Sequence, residues 1–503
     1  MAETNVIDDI GQDAGRGMDG GLRLRLSVMM FLQYVIWGAW APILALHLQN
    51  LEDFKTATTF LGLTLSLDTK INLIYMTMAI ASILSPFVAG QIADRYFSTE
   101  RFLAVSHLVG GVLLFLMVRM TTFPALFWTM LVYAIIYSPT VALTNSLTFH
   151  HVPNGEKDFG AVRMWGTLGW IAVGWGLGFW LRAMNADVVS CLRVAAGASV
   201  VMGWYSLFLP HTPPKENPES PWAFVAALQL MKNRSFSVLV VVSFLVATEL
   251  QFYYVLTPIY FNQGGGPYDE KALTTILLKE VPPLENPEDS PAKALLAAVG
   301  TEGKPAKKIS VSDLERLSAT NAYARRVLEI ERKTVEQKGG VRLQEGTVPI
   351  VMTFGQICEM LVLLALPFFL PRLGFRWLIA IGIAAWSVRY FVFAWCPSPG
   401  LVVASQLLHG FGFGFFFVGG FIYADRIAPK DIKASVQALL LLVTYGLGML
   451  VSSLVAGPIS DYFMRDWHKV FLVPALLTAG CTLLFLIGFS EDKSRAQAAP
   501  AVT

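Results

Sequence analysis

Charge is what this chain has least of. Of its 503 residues only 15% are Asp, Glu, Lys or Arg, against roughly a quarter in soluble globular domains. The signs nearly cancel, with 38 basic and 36 acidic residues and a formal charge of +2. A soluble chain of this length would form two or more domains with polar surfaces, and too few charges are present to cover them. Soluble enzymes and disordered scaffolds are excluded on that ground. The balance also removes the electrostatic case for a nucleic-acid partner. Cysteine is scarce: Cys191, Cys358, Cys396 and Cys481 stand far apart inside apolar runs, with neither a disulfide framework nor metal-ligand spacing. No metal and no cofactor are expected, because the adjacent His150 and His151 would point apart on a helix. The chain has no Walker phosphate loop, which argues against an ATP-driven pump. No Ser/His/Asp set or carboxylate pair suggests a membrane hydrolase, so no enzyme is expected.

Apolar residues are abundant, at 54% of the chain, and the mean hydropathy is +0.54. A bilayer core of ~30 Å needs ~20 apolar residues in a helix. Twelve such runs lie near 25–48, 71–93, 101–120, 125–149, 162–182, 189–209, 236–262, 347–370, 376–395, 400–424, 434–457 and 470–489. Each must be helical, since hydrocarbon cannot satisfy an open backbone amide. A β-barrel would alternate apolar and polar residues over ~10 positions, and these runs are continuously apolar for twice that. The first run is too long for a signal-peptide core and reads as a retained span. Basic residues in alternate short loops (Arg23 and Arg25, Arg95 and Arg101, Lys232 and Arg234, Arg372 and Arg376, Arg426 and Lys433) place both termini in the cytoplasm of a multi-pass inner-membrane protein.

The expected fold class is an all-α integral membrane protein with twelve transmembrane helices in two six-helix bundles. A cytoplasmic tail covers 1–24 and an N-terminal bundle 25–209. The Pro-rich stretch 210–235 reads as a stiff cytoplasmic linker. A C-terminal bundle covers 236–490, and a cytoplasmic tail 491–503. An insert at 263–345 holds 13 basic and 13 acidic residues. It should lie outside the cytoplasm as a solvated cap, since long loops cross largely regardless of charge. Within it, 271–280 and 291–298 carry weak helix signals, and 312–338 reads as one amphipathic helix opened by Ser312.

Polar side chains at membrane depth are candidates for function, because burying them is costly. Arg163, Thr167 and Trp170 follow i, i+4, i+7 in span five and share a face. Arg163 offers a fork of donors for hydroxyls or carbonyls, and Trp170 a flat surface for a sugar or base. The bland alternative is a snorkelling Arg beside a packing Trp. In span seven, Gln251, Tyr254 and Pro258 share a face, and Pro258 should break or kink the helix. Glu249 points elsewhere and serves equally as a structural partner or a proton carrier. In span eight, Gln356 and Glu359 are i, i+3 neighbours. Protonation removes the charge of a carboxyl and so decides which conformation is favoured, which makes Glu359 the first choice for proton coupling. His409 and Phe413 in span ten, and Gln33 and Trp37 in span one, are i, i+4 pairs.

Val88–Asp94 (VAGQIAD) and Val455–Asp461 (VAGPISD) end spans two and eleven with the same pattern. Gly90 to Arg95 resembles the G-x-x-x-D-R signature of the major facilitator superfamily, which assigns Asp94 and Arg95 a gating role by position and Asp461 the same by the echo. Three further strings narrow the resemblance: Phe31–Trp40 (FLQYVIWGAW), Leu143–Leu147 (LTNSL) and Arg163–Trp170 (RMWGTLGW). With Thr248–Gln251 and Gln356–Glu359 they look like the nucleoside:proton symporters of that superfamily. The resemblance implies a major facilitator fold, usually monomeric, importing nucleosides with protons by alternating access. It also implies that Arg163, Thr167 and Trp170 face cargo from one half and Gln251, Gln356, Glu359 and Phe413 from the other. The family pattern has Asn where Tyr254 stands, Tyr where His409 stands, an acid where Gly414 stands and Phe where Trp170 stands. RMWGTLGW also resembles lactose-permease-type symporters, so a sugar or oligosaccharide symporter is the alternative in the same class. A ligand-sensing membrane receptor and a channel are the alternatives outside it.

Overall fold

The computed structural model describes residues 18–88, 97–152, 155–184, 186–214, 224–278, 290–300, 305–306, 308–396, 398–429 and 432–491. Among these, nine helices are long and apolar enough to cross a bilayer. Span one is Gly20–Leu48, span three Thr99–Met117, span four Phe123–His151, span seven Arg234–Phe261, span ten Pro399–Ile427, span eleven Ser435–Tyr462 and span twelve Trp467–Gly488. Span two is the helix Leu67–Val88. The ninth, Glu345–Trp395, is two spans. Its helix breaks at Gly374, with φ 69° and ψ 168°, a conformation open almost only to glycine. Spans eight (348–373) and nine (375–395) therefore meet at one residue. Span five, Gly155–Ala183, opens with charged residues, and span six, Ser190–Ser206, is short. The total is twelve.

Span one packs along spans five and six, span three along four and six, and span two along four. On the other side of the molecule, spans eight and nine pack against ten and twelve, and span seven against eleven and twelve. The two halves touch where span two lies along eleven and span five along eight. Small residues allow the second contact: a Cβ on Gly174 would stand 2.6 Å from Thr353, and one on Gly178 2.5 Å from Ile350. Trp175 adds a hydrogen bond there, its Nε1–H donating to Thr353 Oγ1 at 3.0 Å.

Pro258 does bend span seven. It cannot donate to the Tyr254 carbonyl, and the helix widens to a π-helical turn over Phe252–Leu256 before resuming as Thr257–Phe261. The Thr257 hydroxyl donates to the Phe252 carbonyl at 3.0 Å, which satisfies one of the displaced acceptors. Similar π-helical stretches occur at Gly412–Val418 in span ten and Leu442–Gly448 in span eleven.

The insert differs from expectation in one respect. Glu270–Leu278 and Pro291–Val299 are helical as read, but 312–338 is two helices, Val311–Leu317 and Ala322–Lys338. The first opens at Ser310, whose hydroxyl oxygen accepts from the Asp313 N–H. The break follows from Ser318, Thr320 and Asn321, whose side chains compete for backbone groups. Asn321 then caps the second helix by accepting from the Tyr323 and Ala324 N–H groups at 2.9 and 3.1 Å. The four helices bury Leu273, Leu277, Leu295, Leu314 and Val327 against one another, so the insert has its own small core. It is tied to the first half by Lys271–Glu52 and by Lys308 Nζ to Asp187 Oδ1 at 2.6 Å. Lys271 holds the Glu52 carboxyl below its usual range, and Lys308 does the same for Asp187.

Candidate functional site

Spans one and five build one wall. Arg163 lays its guanidinium over the Tyr34 ring, 4.1 Å from the centroid. A Cβ at Gly166 would stand 2.6 Å from Tyr34 Cδ2 and 2.9 Å from Arg163 Nη1, so the stack needs glycine there. Thr167 is partly exposed beside it. Trp170 is buried, edge-on to Trp37 with centroids 5.7 Å apart, and its Cα lies 3.1 Å from where a Gly38 Cβ would be. Its ring is therefore backed by span one. Gln33 is elsewhere. Its Nε2 donates to Thr140 Oγ1 and its Oε1 accepts from His107 Nε2, both at 2.9 Å. With no exposed surface and both amide atoms committed inside the first half, Gln33 is a structural link between spans one, three and four.

Spans seven, eight, ten and eleven build the facing wall. Glu359 is partly exposed, and the charge of Arg163 acts on it from across the boundary. Tyr445, from the π-helical stretch of span eleven, lies within electrostatic reach of Glu359, Arg163 and Tyr34, and Tyr254 within reach of Tyr445 and Glu359. Gln251 is fully buried with neither side-chain amide atom hydrogen-bonded, and Gln356 Oε1 is likewise unpartnered. Such groups are costly to leave unmatched. Phe413 is partly exposed and stacks beside His409 with centroids 6.1 Å apart. A Cβ on Gly414 would meet Val362 Cγ1 at 2.7 Å, inside an apolar cluster, so no acid has room at that position here.

His409 stands between this wall, where Phe413 stacks beside it, and a charged layer behind it that also holds Glu249. Arg389 of span nine has no exposed surface. Its Nη1 donates to His409 Nδ1 at 3.3 Å and its Nη2 to the Tyr390 hydroxyl at 3.1 Å. The Tyr390 hydroxyl in turn donates to Glu249 Oε2. The guanidinium also lies 4.3 Å from the Tyr253 ring centroid and 4.2 Å from that of Trp386. The sequence does carry a signal for Arg389: apart from Arg376 at its first position, the run 376–395 has no other charge, and a charge so deep falls under the rule that selects Arg163. Tyr390 and Tyr445 carried no such signal, because tyrosine is common in apolar helices.

Asp94 and Arg95 lie outside the described residues. Asp461 accepts from the Asp68 N–H at 3.0 Å, the Thr69 N–H at 2.9 Å and the Thr69 hydroxyl at 2.6 Å. It therefore caps the start of span two, whereas Asp94 follows its far end. Arg465 grips Asp68 with two bonds of 3.0 and 2.6 Å and donates to Gln49 Oε1 at 3.0 Å. These bonds join the halves on the side that carries the insert.

A family model described as Nucleoside H+ symporter matches residues 20–279 and 332–494 and passes over the middle of the insert. The chain is 29% identical over 490 residues to the putative nucleoside transporter YegT of Escherichia coli (strain K12), covering 93% of this chain and 94% of the relative. It is 25% identical over 493 residues to the nucleoside permease NupG of the same organism, covering 94% and 97%. The crystal structure of NupG superposes with a TM-score of 0.68 at 23% identity, over 94% of this chain and 100% of that one. The crystal structure of the POT family transporter PepTSo superposes with a TM-score of 0.57 at 14% identity, over 95% of this chain and 99% of that one.

Proposed function

The chain belongs to the nucleoside H+ symporter family, and from that premise we propose that it imports nucleosides through a chamber between Arg163 and Glu359. It is an integral membrane transporter of the major facilitator fold and carries out proton-coupled nucleoside transport. The reading of its site is supported above all by one observation: Arg163 and Glu359 come from opposite halves, on spans five and eight, the two helices that pack on each other across the boundary. A group shared in this way is differently placed when the halves rock apart, and only such a difference lets a ligand drive the change. Cargo enters between the halves, meets the Arg163 fork and Thr167 on one wall, and the unpartnered Gln251 amide and Gln356 Oε1 on the other. Phe413 is the stacking surface, since Trp170 is backed by span one. Tyr254 and His409 complete the wall. Protonation of Glu359 removes its charge from the boundary that Arg163 faces and permits the rocking step. Glu249, which the sequence leaves equally open as a structural partner or a proton carrier, is bonded to the Tyr390 hydroxyl with Arg389 beyond it, and is the structural partner of that layer. Asp94 and Arg95 close the cytoplasmic mouth, and Asp461 the outer one.

In this reading the protein is a monomer of the inner membrane with both termini in the cytoplasm and the insert outside. The test is uptake into right-side-out vesicles of uridine and of lactose, with and without a protonophore. Uridine should accumulate and collapse with the proton gradient, and Glu359→Gln should lose accumulation while keeping uridine exchange. Normal accumulation by Glu359→Gln would remove Glu359 from coupling. Accumulation of lactose in place of uridine would overturn the cargo.

A further inference from the structure

Arg389 is the least expected charge in the membrane region. Span nine is represented in the wall by no residue, yet this side chain reaches inward from it and is wholly buried. Two of its neighbours, His409 and Tyr253, sit on helices that build the wall. Its Nη1 donates to His409 Nδ1. Its face covers Tyr253 and Trp386. Tyr253 stacks on His409 with centroids 4.5 Å apart and planes at 19°, and Trp386 meets the same imidazole edge-on at 5.2 Å. Span eight packs on a further side, where Gly355 leaves room for the ring, a Cβ there standing 2.9 Å from His409 Cβ. Glu249 balances the charge through the Tyr390 hydroxyl.

An arginine has donors and no acceptor. The bond to His409 therefore exists only while Nδ1 is bare, since a proton there would set two N–H groups against each other. The ring of a neutral imidazole then carries its hydrogen on Nε2. We propose that Arg389 is a positioning residue that locks His409 in the Nε2–H tautomer, so that His409 meets cargo as a hydrogen-bond donor and selects a carbonyl, ring-nitrogen or sugar-oxygen acceptor. This rests on the assignment of His409 to the cargo-facing wall. Stacking by Tyr253 and the edge of Trp386 fix the plane of the ring, and Arg389 fixes which atom holds the proton. A tyrosine hydroxyl could rotate between donating and accepting; an imidazole held in this way cannot.

The test uses the full chain labelled with 15N-histidine in nanodiscs, with the His409 ring assigned by its loss in His409→Gln. At neutral pH the ring should carry its proton on Nε2. The double variant Arg389→Met/Glu249→Gln removes both charges together, leaving neither unpaired; in it both tautomers should appear. Its uridine Kd should rise about tenfold, the loss of one hydrogen bond. Arg389→Lys, which keeps a donor, should hold the Nε2–H form. His409→Gln, with an N–H near the Nε2 position, should bind uridine better than His409→Asn, which places its amide at Nδ1. An Nδ1–H ring in the wild type, or an unchanged ring and Kd in the double variant, would overturn the proposal, as would equal binding by the Gln and Asn forms. Should the wild type bind no nucleoside while the tautomer still depends on Arg389, the lock stands and the cargo assignment falls.

Discussion

At Gly166 the demands of one residue reach the chemistry of another. Arg163 can stack on Tyr34 only because nothing projects from position 166. Gly166→Ala adds one methyl group, improves helix propensity by up to ~1 kcal/mol, and forces Tyr34 or Arg163 to move, an overpacking cost of about 1–3 kcal/mol. The expected outcome is a folded protein whose uridine affinity falls by about tenfold, read by calorimetric titration. If affinity is unchanged, the Arg163 stack on Tyr34 has no part in binding. The same scale separates two acids that look alike in the sequence. Glu249 accepts from the Tyr390 hydroxyl, which Arg389 bonds in turn, whereas Glu359 is partly exposed on a helix that packs against the other half. Gln33 and Gln251 divide in the same way, one fully bonded and one without partners.

Among the elements, the contact of span two with span eleven carries the latch. Asp68 is fully buried and takes two bonds from Arg465 and one from the Ser460 hydroxyl at 2.6 Å. Removing one partner of a buried ion pair costs about 3–5 kcal/mol. Here the cost falls on the state in which this mouth is shut. Arg465→Ala should therefore shift the population toward opening on the insert side, seen as a longer distance between spin labels on the loop after span one and the loop after span eleven. An unaltered distance distribution would mean the bonds are incidental to gating. The echo VAGxIxD is legible as a pattern, but the helices that end in it run in opposite directions, and Asp461 meets the start of span two and not its end.

For the molecule as a whole, the insert bridges the halves at their outer rim. Its ties to Glu52 and Asp187 are exposed, and exposed pairs of this kind are individually weak and screened by salt. Both carboxyls are held below their ordinary range by the lysine that meets them. A depressed carboxyl keeps its contribution above the ordinary range and loses it only as pH falls through the lowered value. The distance between spin labels at Thr56 and Thr275 should thus stay constant from neutral pH down through the ordinary carboxylate range, and lengthen below it. Lengthening that begins near neutral pH would show that the lysines do not hold the insert.

Twelve helices, their breaks within a few residues, the insert and the acids and amides inside the bilayer were all legible in the chain. The reason is that hydrocarbon admits few structures: long apolar runs must be helices, and a polar group among them must have a use. Arg389 falls under the same rule. What the sequence could not decide is which polar groups share a partner. Gln33 and Trp170 sit at spacings as suggestive as those of Gln251 and Glu359, yet the first is spent within its own half and the second is backed by span one. Periodicity tells which face of a helix a residue occupies; only the packing of one helix on another tells what that face meets.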